Sequence, residues 1–279
     1  MNTFGNIIIS PYFWNIVVRQ ISISFLVYSM LVPAVLAVAF GSFLYIKTRK
    51  LSSFYLLLLS LFFALYAILD LLTWFPNAPI ALGTWSFLDI FSVSFFILSY
   101  WFLYSFIKDH DLPLWQKVLT GCALLPTLVI TARSINIDTF SAPQVSSLEN
   151  LSVTNYNSIL FLTIILLVVI FSIREYVVAI DFVNKKKIAL AGAGVTIFLF
   201  VFCINLVVSN FIIAIDLWGL GSNAYVYTID LYSLFGMPIL LGLLGYLIAK
   251  YQAFDIRLIK SIVLMVVLMA ILFAGMFFT

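Results

Sequence analysis

An all-α bundle of about eight transmembrane helices, with the amino terminus outside the cell, is the architecture expected of this chain on three grounds. Apolar residues make up 65% of it and charged residues 9%, against about 25% charged in a soluble domain. The apolar residues gather into runs of roughly 20, the length a helix rising about 1.5 Å per residue needs to cross a ~30 Å hydrocarbon core. Twelve of the fourteen lysines and arginines fall into alternate gaps between those runs. Lipid offers backbone groups no water to bond. Runs of this length must therefore be helices, since barrel strands would be half as long and would alternate.

Taken in order, residues 1–21 are expected to form an outer interfacial segment. Ile7, Ile8, Ile9, Tyr12, Phe13 and Trp14 make a stretch too short to span, interrupted by Pro11 and rich in the aromatics that favour an interface. Arg19 follows this stretch instead of preceding it, which is the reverse of a cleaved signal peptide. Spans are then expected at 22–46, 51–74, 85–107, 115–133, 156–173, 188–215, 227–249 and 261–279.

The gap after the first span holds Lys47, Arg49 and Lys50, and the gap after the third holds Lys108 and Lys117. The gap after the fifth holds Arg174, Lys185, Lys186 and Lys187, and the gap after the seventh holds Lys250, Arg257 and Lys260. Only Arg19 and Arg133 lie on the opposite side, so the positive-inside rule places these four gaps in the cytoplasm and the amino terminus outside. Residues 22–257 accordingly read as a seven-helix membrane module and 258–279 as an eighth helix. The net charge of +3 sits in small clusters where anionic headgroups would meet it, so membrane lipids and not nucleic acid are the expected partners.

Minor features read as structural. Cys122 and Cys203 lie inside apolar runs and are expected to be buried, not joined in an exported disulfide. His110 stands in an inner loop between Asp109 and Asp111, where a metal would need more nitrogen or sulfur ligands than the chain offers. Asn150-Leu-Ser152 matches a glycosylation acceptor, a short motif that means little unless the host glycosylates.

Ionisable side chains inside a span cost about 2.5 to 3.5 kcal/mol each at the helix centre, so their positions mark candidate sites. Asp70 near the outer end of the second span and Asp89 about one turn into the third fall at similar depth, across a turn containing Pro76, Asn77 and Pro79. Ser92 and Ser99 follow Asp89 at helical spacing. Asn205 and Ser209 in the sixth span, with Asp230, Ser233 and Tyr232 at the start of the seventh, lie in the same outer half. A ligand pocket open to the outside, bounded by spans two, three, six and seven, is the expectation, with Asp70, Asp89, Ser92, Asn205, Ser209, Asp230 and Tyr232 as its polar residues. Converging carboxylates would hold a proton or a cationic ligand. The competing reading is that serine and asparagine serve as ordinary interhelical glue and that carboxylates near the interface reach water. Pro33, Pro126 and Pro238 each sit inside a span and should kink it.

Catalytic signatures are missing. The seventh span contains no lysine for a retinal Schiff base, and there is no Walker motif, zinc-binding His-Glu-x-x-His, nucleophile elbow or dinucleotide fingerprint. A non-enzymatic chain without a cofactor is expected. The paired broken helices of inverted-repeat transporters are also lacking.

The junction after the seventh span is the most distinctive local sequence. Tyr246-Leu-Ile-Ala-Lys250-Tyr251-Gln-Ala-Phe254-Asp255-Ile-Arg257 resembles the YxIxxYxLFDI segment that closes the amino-terminal seven-helix sensor region of many bacterial histidine kinases. Leu69-Asp70-Leu-Leu, the proline-containing turn and Trp85 are similar to the general pattern of that region, while Ser86 and Ala253 depart from it. The resemblance implies a bacterial inner-membrane sensory module of a two-component system, homodimeric, with Tyr246, Lys250, Tyr251, Phe254, Asp255 and Arg257 relaying helix movement. Its partners would be a small or amphiphilic ligand, a downstream kinase or other output domain, and a response regulator. Eight spans would leave Thr279 outside, so the chain is expected to be truncated before a further helix and a signalling domain. The alternatives are a small-solute or proton/cation-coupled transporter subunit with Asp70 and Asp89 as carriers, and a membrane-embedded interaction subunit.

Overall fold

The computed structural model describes residues 23–73, 78–134 and 151–217, together with Met237, Leu240 and Leu243. The described elements are all helical: α1 (Ile23–Thr48), α2 (Leu51–Thr73), α3 (Ala78–Lys108), α4 (Leu114–Cys122), α5 (Leu125–Ser134), α6 (Leu151–Val178) and α7 (Phe182–Leu217). Five contain stretches long and apolar enough to cross a membrane, namely Met30–Thr48, Leu51–Leu72, Phe87–Lys108, Tyr156–Val178 and Phe182–Cys203. The expected span at 227–249 falls on described residues only at Met237, Leu240 and Leu243, and the expected span at 261–279 and the segment 1–21 lie outside them.

The span expected at 115–133 is two short helices instead of one, with a break at Ala123 and Leu124. Pro126 explains it. A proline lacks the amide that would bond the carbonyl four residues earlier, and its ring clashes with that carbonyl, here Cys122. Leu124 turns its amide to Gly121 at 3.0 Å, a tightened turn, and regular bonding resumes with Leu128 to Leu124 at 3.0 Å. Pro33, by contrast, lies within an uninterrupted α1.

Helix boundaries correct several expectations. α3 begins at Ala78, earlier than the expected residue 85, because Pro79 falls in the first turn, where a proline's missing amide has no intrahelical partner to lose. Lys185, Lys186 and Lys187 are not in a gap but in the opening turns of α7, and Arg174 lies within α6. Lysine and arginine are good helix formers, so the helix runs on past the point where hydropathy falls. Cys203 is buried as expected, whereas Cys122 is exposed, on the outward face of α4 beside Leu119.

α3 is the central element. It packs on α2, α4, α5, α6 and α7. Its apolar window is 72% buried, against 33% for that of α6, which turns Ile159, Leu162, Leu166, Ile170 and Ile173 outward. α1 and α2 form a hairpin across Arg49 and Lys50, and α6 and α7 another across residues 179–181. Small residues allow both hairpins to close. A methyl group on Gly41 of α1 would meet the Ser60 hydroxyl of α2 at 2.6 Å, and Gly192 of α7 lies as tightly against Ser172 of α6. Arg49 (φ 52°) and Asp109 (φ 55°) take the left-handed conformation that ends α1 and α3.

Candidate functional site

Tyr55 of α2 lies opposite Trp101 of α3 near one end of the pair, at 5.8 Å. Farther along, Phe62 and Tyr66 lie against Phe91 and Phe95, at 5.8 and 5.9 Å, so the helices run antiparallel. Continued by one turn, this register brings Asp70 and Asp89 to within about one helical turn (~5 Å) of each other in depth. Both continue the interior stripe of their helix. Asp70 extends the buried positions Leu56, Leu59, Phe63 and Ala67, while Asp89 precedes Ser92, Phe96, Ser99 and Leu103 at helical spacing. Each aspartate is half-buried.

Four serines of α3 are satisfied by their own helix. Ser92 donates to the carbonyl of Asp89 (2.9 Å), Ser94 to Ile90 (2.6 Å), Ser99 to Phe95 (2.8 Å) and Ser105 to Phe102 (3.0 Å). A hydroxyl whose proton is committed in this way retains only acceptor capacity toward anything beside it. Together with the carboxylates of Asp70 on α2 and Asp89 on α3, these hydroxyls make this part of the helix pair acceptor-rich.

Beneath the aspartates the interior is filled with rings. Phe95 of α3 meets Phe202 of α7 edge-on at 4.6 Å, Tyr66 of α2 meets Phe202 at 5.2 Å, and Phe96 of α3 meets Phe161 of α6 at 4.4 Å. All are buried. Edge-to-face and offset contacts of this kind add about 0.5 to 1.5 kcal/mol each beyond area burial. Phe95 lies six residues beyond Asp89, about 9 Å along the helix, so this layer forms a floor under the carboxylate level and joins four helices. Backbone positions 205 and 209 of α7 continue the helical spacing of Phe198 and Phe202.

A second polar group escaped the sequence reading. Thr127 of α5 donates to Asn157 of α6 at 2.8 Å, both buried, and the Tyr156 hydroxyl donates to the carbonyl of Ala123 at the α4–α5 break. Asn157 lies one turn from Phe161 on α6, so a helical projection would have placed it on the interior face.

The opposite end of the bundle carries the charges. Lys108 at the end of α3 pairs with Glu175 of α6 at 2.7 Å, and Asp109 pairs with Lys187 of α7 at 3.6 Å. The Lys187 ammonium also stands over the Phe106 ring, 4.7 Å from its centre. Asp111 accepts from Tyr55 of α2 at 2.7 Å, from the Leu112 amide at 2.8 Å and from Lys117 of α4. Burial works to raise the Asp111 pKa, but the hydrogen bonds from Lys117, Tyr55 and Leu112 and the charge of Lys117 outweigh it and hold the carboxyl below its ordinary value. Lys117 stands over the rings of Tyr55 and Trp101, and the Trp101 indole donates to Thr120 at 2.9 Å. His110 is exposed, as expected of a loop residue, and lies against Tyr104. Among the described residues there is no group of three metal-ligating side chains.

The structure thus brings Asp70 and Asp89 to similar depth on neighbouring helices, with Ser92 about one turn beyond Asp89. Asn205 and Ser209 are located only as backbone positions on α7. Asp230, Tyr232 and the junction residues Tyr246, Lys250, Tyr251, Phe254, Asp255 and Arg257 lie outside the described residues. Glu175, Asp109 and Asp111 were overlooked because acidic residues beside cationic gaps read as solvated. Glu175 follows Val168 and Phe171 at helical spacing, which is the signal that it faces inward. A comparison with known proteins gives no match to a family model, to a curated protein or to a solved structure.

Proposed function

We propose that this chain is the sensory module of a bacterial inner-membrane signalling protein, with about eight spans and its amino terminus outside. On this reading it takes a small amphiphilic ligand with a cationic or donor-rich head from the outer side and relays helix movement to a cytoplasmic kinase or other output domain. The topology is supported by the basic side chains gathered around the ends of α1, α3 and α6 and the starts of α4 and α7, where the positive-inside rule puts the cytoplasm. The ligand class is supported by acceptor-rich chemistry at the Asp70 and Asp89 level. The junction at Tyr246–Arg257 supports the output.

One observation carries the choice of sensing over passage. The carboxylate level is separated from the ionic end by the packed rings of Tyr66, Phe95, Phe96, Phe161 and Phe202, which link four helices. A ligand held above such a layer can bias helix packing without crossing it, provided that it prefers one of two arrangements. Reading the coding frame past codon 279 tests the assignment. A ninth span leading into a phosphoacceptor histidine and an ATP-binding domain is the expected result. A stop codon there removes the kinase link and leaves the transport alternative, in which proteoliposomes would show proton or cation uptake abolished by Asp70→Asn or Asp89→Asn.

A further inference from the structure

The ion pairs at the inner end meet on one short segment. From Lys108 to Asp111, successive charged side chains reach α6 (Glu175), α7 (Lys187), and both α2 and α4 (Tyr55 and Lys117). These four residues end the helix that packs against five others. Their contacts are unequal. The Lys108–Glu175 pair is close, at 2.7 Å, with the carboxylate side chain only 9% exposed, and Asp111 is held by three donors. The Asp109–Lys187 pair is open, at 3.6 Å, beyond hydrogen-bond distance. The aspartate side chain is 63% exposed and the lysine side chain 10%. Lys187 is therefore held on α3 by a loose ionic contact and by the face of the Phe106 ring.

The geometry points to this segment as a clasp on α7 that closes and opens with the aromatic layer, the Asp109–Lys187 contact being its release point. α7 touches α3 at both levels, through Phe202 on Phe95 in the middle and through Lys187 on Asp109 and Phe106 at the inner end. Residues 187 and 202 are fifteen positions apart on one continuous helix, about 22 Å. A helix of that length moves as a body, so displacing Phe202 from its T-shaped seat on Phe95 must also move Lys187 against the α3 end. The close Lys108–Glu175 and Asp111 contacts hold α6, α2 and α4 in place during that movement, so α7 shifts against a fixed frame. The inference rests on the sensor reading for its biological purpose alone, because the movement is a property of the helices.

Pulsed electron spin distance measurement tests it on the full chain in lipid nanodiscs. Spin labels go on Leu114→Cys at the start of α4 and Val183→Cys at the start of α7, both exposed positions, in a Cys122→Ser, Cys203→Ala background. Asp109→Asn is expected to add a second distance population. Asp109→Glu should keep the single population of the parent. Asp181→Asn, at an exposed carboxylate on the α6–α7 turn, should also leave it unchanged. Phe202→Leu, a mild change in the aromatic layer, should produce the same second population, and combining it with Asp109→Asn should give no third. An Asp109→Asn distribution matching that of Asp181→Asn would show the contact to be passive. Independent, additive shifts from the Asp109 and Phe202 variants would show that clasp and layer are uncoupled. A chain found to lack any output domain would overturn the sensor reading and leave this measurement intact.

Discussion

Breaking the Lys108–Glu175 pair from either side should have unequal consequences, and the inequality follows from burial. At 2.7 Å the gross attraction of two unit charges is about 6 kcal/mol with an effective dielectric constant near 20. Most of it is offset by taking the carboxylate out of water. Lys108→Met leaves Glu175, 9% exposed at its side chain, without its cation. A stranded buried charge costs about 3 to 5 kcal/mol, and water reaching the rim of this site reduces that to an expected ~2 to 3 kcal/mol. Glu175→Gln instead leaves Lys108, 35% exposed and on a flexible stem that can turn to solvent, so the expected loss is ~1 kcal/mol or less. The double variant should fall close to Glu175→Gln, because neither charge is then stranded. Equilibrium unfolding by SDS titration in mixed micelles measures all four proteins. Equal losses from the two single variants, or a double variant equal to their sum, would refute the argument that Glu175 is the charge in need of a partner.

Three further outcomes are expected. Gly41→Ala should destabilise by up to about 2 kcal/mol in the same titration, the balance of overpacking at ~1 to 3 kcal/mol against a helix-propensity gain of ~1 kcal/mol. Adding Ser60→Gly should recover part of the loss, since it removes the two nearest atoms, at 2.6 and 3.0 Å. Asp111 has a depressed pKa in the folded state, so its contribution is present above the unfolded value, near 3.8, and is lost as pH falls through the lower folded value. The melting temperature of Asp111→Asn should accordingly lie below that of the parent at neutral pH and converge with it below pH 3.8. Tyr156→Phe leaves the Ala123 carbonyl at the helix break without its hydroxyl donor and should cost about 1 to 2 kcal/mol, visible as a lowered melting temperature in detergent.

The first two spans were legible because length and hydropathy set them. The stretches expected at 22–46 and 51–74 emerge as Ile23–Thr48 and Leu51–Thr73. Errors arose where hydropathy and helix propensity disagree. Lys185, Lys186 and Lys187 are polar and helical at once, and Pro79 lies in a helix because it lies at its start. The similar depth expected of Asp70 and Asp89 rests on the short connection between their spans, which the sequence displays directly. The ionic end was not. Whether Asp111 meets water or Tyr55 depends on a contact between residues 56 apart in sequence, and no local pattern encodes that pairing. Nor could Cys122 be placed from its apolar neighbours, since in lipid the outward face of a helix is as apolar as the inward one.

The order of layers along α3 bears on how a signal would travel. Asp89 and Lys108 are nineteen positions apart, about 28 Å of one helix, and the rings of Phe95 and Phe96 between them leave no slack for the helix to bend around. Packed interiors respond to small displacements by changing between discrete arrangements, not by graded deformation. A ligand that shifts α3 or α7 at the carboxylate level would therefore have to move the ring contacts as a set, and the next contacts along the same helices are the ion pairs at the charged end of the bundle. Aromatic packing is short-ranged and fixes geometry. The ion pairs below it tolerate a range of separations, as the 3.6 Å Asp109–Lys187 contact beside the 2.7 Å Lys108–Glu175 contact shows. A stiff layer above a compliant one converts a small, definite displacement into a change of pairing at the surface. The reverse order would lose the displacement before it reached the end of the bundle.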